Sequence, residues 1–149
     1  MSNTYITALA ESLEKKIKIL EEIHSKDEEQ LKLIKAPDFS FDAYDANAEE
    51  KSVLIYKLTK LDEGFELTYE KVREELDINR AKYADEIKKI QDLIRKITEL
   101  DVTIKAEEQR NKTALEAMFK SEKDKIKAQR SGAKAMKSYA QAMNSYKIF

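Results

Sequence analysis

The chain has 149 residues, 38% of them charged, with two Gly, one Pro, no Trp and a net charge of −1. That length suits one domain, and the composition is that of long surface helices rather than of sheets with their many turns. The absence of Cys excludes disulfides and Cys-based zinc sites. No run of about 18 apolar residues occurs, so no membrane span is expected.

The first predicted helix covers about Thr4 to Lys35. Ile6, Leu9, Leu13, Ile17, Leu20 and Ile23 form one apolar stripe, which Leu31 and Ile34 resume after a polar gap. Pro37 disfavours helical geometry at Ala36 and stops this helix. A short loop at 37–44 carries Phe39, Phe41 and Tyr44, and either Ser40 or Asp42 can cap the next helix.

The second helix is predicted from about Ala43 to Leu76, with its seam at Leu54, Leu58, Leu61, Phe65, Thr68, Val72 and Leu76. Gly64 inside it costs up to about 1 kcal/mol against Ala. It marks either the close approach of a neighbouring helix or a tolerated weak point. The pattern stumbles at Asp77–Arg80. A helix continuing through this stumble would be about 130 Å long with most of its stripe uncovered, so a reversal between Leu76 and Lys82 is expected. It would bring Leu54–Leu76 alongside Tyr83–Ile104.

The third helix, from about Asn79 to Gln129, carries the longest regular seam. Tyr83, Ile87, Ile90, Ile94, Ile97, Ile104, Leu115 and Met118 fall on alternating steps of four and three once Asp101, Glu108 and Asn111 are included. That heptad pattern, about five repeats long, identifies a helix packed along others. Leu93 and Leu100 widen the stripe in the first half. Three polar residues interrupt the second half, so tight packing is expected at the start and loose packing at the end. Asn111 reads as a residue that fixes register or sits in a polar layer. The fold expected is all-α: an antiparallel, up-down-up, coiled-coil-like bundle of three helices with an overhanging third helix. The overhang should emerge beside Phe39 and Phe41.

Residues 1–112 are read as the bundle body and 113–149 as an extension of the same domain. Past a hinge at Ser131–Gly132, Met136, Tyr139, Met143 and Tyr146 form one face of a C-terminal amphipathic segment. Met-rich faces suit surfaces that adapt to several shapes. The segment either binds a partner or folds back onto the bundle. From Lys120 onward eight basic residues oppose only Glu122 and Asp124, a net +6 that leaves −7 on the remainder. Such a basic end fits nucleic acid, anionic lipid or an acidic partner, and equally a solvated or self-associating tail.

Catalytic chemistry is not expected. Glu21 and His24 have the Glu-x-x-His spacing of di-iron bundles, but those need a second such pair, and His24 is the only histidine. It reads as a surface residue, and no metal site or cofactor is expected. No Gly-rich phosphate loop is present, and a Ser–His–acid arrangement would have to use His24 on a charged stretch. The first ten residues lack a basic stretch followed by an apolar block, so no signal peptide is expected and a cytoplasmic location is the default.

Three stretches resemble the FlgN-type flagellar export chaperones. Glu50–Glu66, EKSVLIYKLTKLDEGFE, looks like that family's second helix. Ile94–Phe119 resembles its third, with Arg110-Asn111 followed by Leu115. Gly132–Met143, GAKAMKSYAQAM, is similar to its tail. The resemblance implies a small cytoplasmic chaperone that binds the C-terminal helices of flagellar hook–filament junction proteins. It would keep them unassembled and deliver them to the export gate of the type III secretion apparatus. Partner binding would fall to Leu115, Met118, Phe119 and Tyr139, and the apolar face adds Met136, Met143 and Tyr146. A homo-oligomeric coiled-coil scaffold, a homodimer included, remains the alternative, and the chain lacks a recognised nucleic-acid-reading element.

Overall fold

The computed structural model describes residues 2–122. They form three helices, α1 (Ser2–Lys35), α2 (Phe41–Ile78) and α3 (Ala84–Glu122), packed against each other, and no strand occurs among them. Among the described residues no helix is long and apolar enough to cross a membrane. The segment holding Met136, Tyr139, Met143 and Tyr146 lies outside the described residues, as do the Ser131–Gly132 hinge and most of the basic end.

The breaks follow local chemistry. α1 stops two residues before Pro37, where the Ala36 N–H turns back to the Leu33 carbonyl. Ser40, in extended conformation, caps α2 by accepting a hydrogen bond from the Ala43 N–H at 3.1 Å, and Asp42 serves only as an acidic first-turn residue. α2 closes with the Asn79 N–H donating to the Glu75 carbonyl at 2.9 Å. A turn over 79–83 comes next, in which the N–H groups of Lys82 and Tyr83 both donate to the Asn79 carbonyl. The helix therefore does not run unbroken through Asn79.

α1 is the shared partner: α2 and α3 each pack along it, and scarcely along one another. Against α2, Lys16 meets Asp62 at 2.7 Å, Lys26 meets Glu50 at 3.1 Å and Gln30 meets Asn47 at 3.1 Å. Against α3, Glu14 meets Lys89 at 3.7 Å and Glu28 meets Arg110 at 3.1 Å. The seams of α2 and α3 meet through side chains that fill the same clusters, while α1 holds their backbones apart.

Three apolar clusters stack along the bundle. Ile6, Leu9, Val72, Leu76 and Tyr83 close the end at the 79–83 turn. Leu13, Ile17, Leu20 and Ile23 of α1 join Leu54, Ile55, Leu58, Ile97 and Ile104 in the middle. Ile34, Tyr44, Ala48 and Leu115 close the other end, against Phe39, Phe41, Met118 and Phe119. Each fully buried Ile or Leu here contributes about 1.5–3 kcal/mol.

The asymmetry expected of α3 is reversed. In its apolar first half, Ile87 and Ile90 are only partly buried and Ile94 is 44% exposed. There α2 and α3 flank a cleft of about 270 Å³ lined by Phe65, Tyr69, Leu76, Ile87, Ile90 and Ile94. In the polar second half, Glu108 is 1% and Asn111 0% exposed, and Leu115 is sealed beside them. The polar positions do not loosen this half, because α1 and α2 present partners for them at the same level. Only Asp101 turns partly aside, to an ion pair with Lys105 one turn on.

The overhang expected from about residue 112 is likewise absent up to Phe119. That ring stacks on Phe41 at 5.7 Å and meets Phe39 edge-on at 6.2 Å, beside the α1–α2 loop. Gly64 marks no close approach, since a Cβ there would meet nothing within 4 Å. It is a tolerated weak point on an exposed face.

Candidate functional site

Between the middle and far clusters lies a layer of buried polar side chains. Heptad steps place them there: beyond Ile23 on α1 the inward positions are Asp27, Gln30 and Ile34, and before Leu54 on α2 they are Lys51 and Asn47. Each helix contributes one charged group. The fully buried ammonium of Lys51 donates to Asp27 Oδ1 at 2.8 Å and to both oxygens of Glu108, at 2.7 and 2.6 Å. One ammonium neutralises only one of two carboxyls. Burial, foremost, pushes Asp27 up to about 8; Lys51 opposes that rise and Glu108 adds to it. Asp27 is thus the member that holds a proton near neutrality.

Amides continue the layer. Asn111 Nδ2 donates to the Asp27 carbonyl at 2.9 Å and to Gln30 Oε1 at 3.0 Å, and its Oδ1 accepts from Arg110 Nε at 3.1 Å. Gln30 Nε2 donates to Asn47 Oδ1, and Asn47 Nδ2 to the Lys26 carbonyl and Glu29 Oε1. Asn111 therefore reads positions on α1 by hydrogen bonds that an apolar residue could not make.

Next to this layer, half-buried on the α1–α3 face, His24 Nδ1 stands 2.6 Å from Glu107 Oε2. His24 is thus engaged across helices, not the free surface residue expected, and its partner is Glu107 rather than Glu21. Burial raises Glu107 above the usual carboxylate range, with His24 opposing and Glu28 reinforcing the rise. The hydrogen bond from Glu107, and then Arg110, holds Glu28 below it.

At the far end, Phe39, Phe41, Met118 and Phe119 form a partly exposed patch, with Phe39 and Phe41 edge-to-face at 4.8 Å. Of the expected partner-binding residues, Met118 and Phe119 lie in this patch. Leu115 does not: it is 1% exposed, forming the floor beneath them against Ile34 and Tyr44, because the seam stays inward through this turn. Met136, Tyr139, Met143 and Tyr146 fall outside the described residues. Sequence reasoning did not single out Lys51, Asp27 and Gln30. For Lys51 and Asp27 the signal was opposite charges at inward heptad positions of different helices. No protein-family model matches the chain, and no curated protein or solved structure resembles it significantly.

Proposed function

We propose that the chain is a non-catalytic helix-binding protein, an export chaperone of the kind its sequence resembles. In this reading it works in the cytoplasm on a flagellar hook–filament junction protein, holding that protein's amphipathic C-terminal helix until the export apparatus takes it. The three helices stand up, down and up, in keeping with residue numbers that rise along α1 as they fall along α2 and rise along α3. Residues beyond Glu122 supply the Met136, Tyr139, Met143 and Tyr146 face.

The observation that carries the reading is the patch of Phe39, Phe41, Met118 and Phe119. It lies partly exposed at the end of the bundle from which the chain continues. Flexible Met and flat aromatic rings on a rigid floor accept the i, i+3, i+4 and i+7 anchors of a docked helix. The basic residues beyond this patch would speed encounter with an acidic client, in a salt-dependent way.

Calorimetry tests this with a peptide of a client's C-terminal helix, on the full chain, on a chain ending at Gln129 and on Phe119→Ala. The reading requires both changes to leave the fold intact and to cut affinity at least tenfold, about 1.4 kcal/mol. Unchanged binding in both places the site elsewhere. A full chain that is dimeric by light scattering, becomes monomeric when cut and never binds the peptide is instead a homo-oligomeric scaffold.

A further inference from the structure

His24 and Glu28 stand one turn apart on α1, and Glu107 faces them from α3. One ligand atom from each lies within 4.8 Å of the other two. The cluster is anchored by Glu107, whose side chain is only 8% exposed and whose buried Oε1 accepts from no donor, its neighbour Glu28 being another carboxyl. A buried acceptor left without a donor is costly, and this one belongs to a group of two carboxylates and an imidazole. Among the described residues, Arg110 reaches Glu28 Oε1 at 3.1 Å from the rim. Lys51 is held by Asp27 and Glu108 in the adjoining layer. The His24 side chain is 43% exposed, so the cluster opens to solvent on one side.

We propose that His24, Glu28 and Glu107 bind a divalent transition-metal ion, with Zn²⁺ the best match, as a staple between α1 and α3. One imidazole nitrogen and two carboxylate oxygens form a donor set that zinc accepts, with water in the fourth position. Mg²⁺ and Ca²⁺ prefer all-oxygen surroundings and do not fit. Tetrahedral zinc with bonds of about 2.0–2.2 Å holds its ligands about 3.3–3.5 Å apart. His24 Nδ1 and Glu107 Oε2, 2.6 Å apart, would spread to that separation while Glu28, within 4.8 Å of both, draws in. Arg110 remains on the second oxygen of Glu28 and orients that carboxylate. Glu21, on the exposed part of α1, takes no part.

The full chain, stripped with a chelator, is titrated with ZnCl₂ by calorimetry and melted with and without the ion. One Zn²⁺ per chain and a raised melting temperature are expected, with no rise from Mg²⁺. His24→Gln and Glu107→Gln should each weaken binding at least tenfold and abolish the rise, while Glu21→Gln leaves both intact. Circular dichroism checks that each variant folds, and should Glu107→Gln fail, His24→Gln decides. Absence of heat above dilution, or full affinity in His24→Gln, overturns the site.

Discussion

The two halves of α3 differ in the opposite sense to their hydropathy. From Tyr83 to Ile94 the seam is apolar, yet it borders a cleft and leaves Ile94 half in solvent. From Ile104 to Leu115 it contains Glu108 and Asn111, yet nothing on it is exposed. Hydrophobicity decides which face of a helix turns inward, but the neighbours decide how well that face is covered. Where α2 and α3 flank the cleft, Ile87, Ile90 and Ile94 are covered on one side only. Where Asp27, Lys51 and Glu108 converge from three helices, ion pairing and hydrogen bonds hold the seam shut. Charge burial of this kind adds little net stability compared with a well-packed apolar layer; what it contributes is register.

The largest expected effect comes from removing the shared cation. Lys51→Met leaves Asp27 and Glu108 facing one another in a buried site, and breaking such a set costs about 3–5 kcal/mol. Denaturant unfolding reads this loss, and a loss under about 1 kcal/mol would mean that water reaches the layer. The comparison sharpens with a matched pair on one helix. Ile104→Ala, fully buried, should cost about 2–5 kcal/mol, whereas Ile94→Ala should cost about 0.5–1 kcal/mol. Equal costs would break the contrast between the halves. Next comes Asn111→Leu, which strips the donor from the Asp27 carbonyl and Gln30 Oε1 and should destabilise by about 1–3 kcal/mol. A raised melting temperature would instead show that the amide serves register alone.

The same layer also predicts a pH dependence. Asp27 is raised from 3.8 to about 8 on folding, so the folded state keeps a proton that the unfolded chain releases. Its contribution to stability is fully present below about pH 3.8, declines as pH rises, and is gone above about pH 8. Asp27→Asn mimics the protonated group and should flatten that decline between about pH 5 and 8 relative to the parent chain. Parallel profiles for the two proteins would show that Asp27 is ionised in the fold.

Much of the architecture was legible in the chain. Pro37, Ser40 and Asn79 mark the breaks by chemistry that acts within a few residues, and alternating steps of four and three gave the inward face of α3. The tightness of its second half was not legible, because a polar residue on a seam is a defect or a lock according to what another helix places opposite it. Asp27 sits in what reads along α1 alone as a polar gap, and Lys51 precedes the leucines of α2. Only when both are counted as inward positions does their opposite charge become a signal. His24 was obscured for the same reason: its partner Glu107 is remote in sequence, while Glu21 nearby mimics a known spacing. The patch of Phe39 and Phe119 was anticipated in part, since the third helix was expected to emerge beside the loop carrying Phe39 and Phe41, where Phe119 stacks.

The central claim is that the polar half of α3 is the tight end of the bundle. Native-state hydrogen exchange measures it directly, amide by amide, because protection reports the local free energy of opening. The amides of Ile104–Leu115 should exchange near the rate of global unfolding, and those of Ala84–Ile94 markedly faster. Faster exchange across Glu108 and Asn111 than across Ile87 and Ile90 would contradict the account.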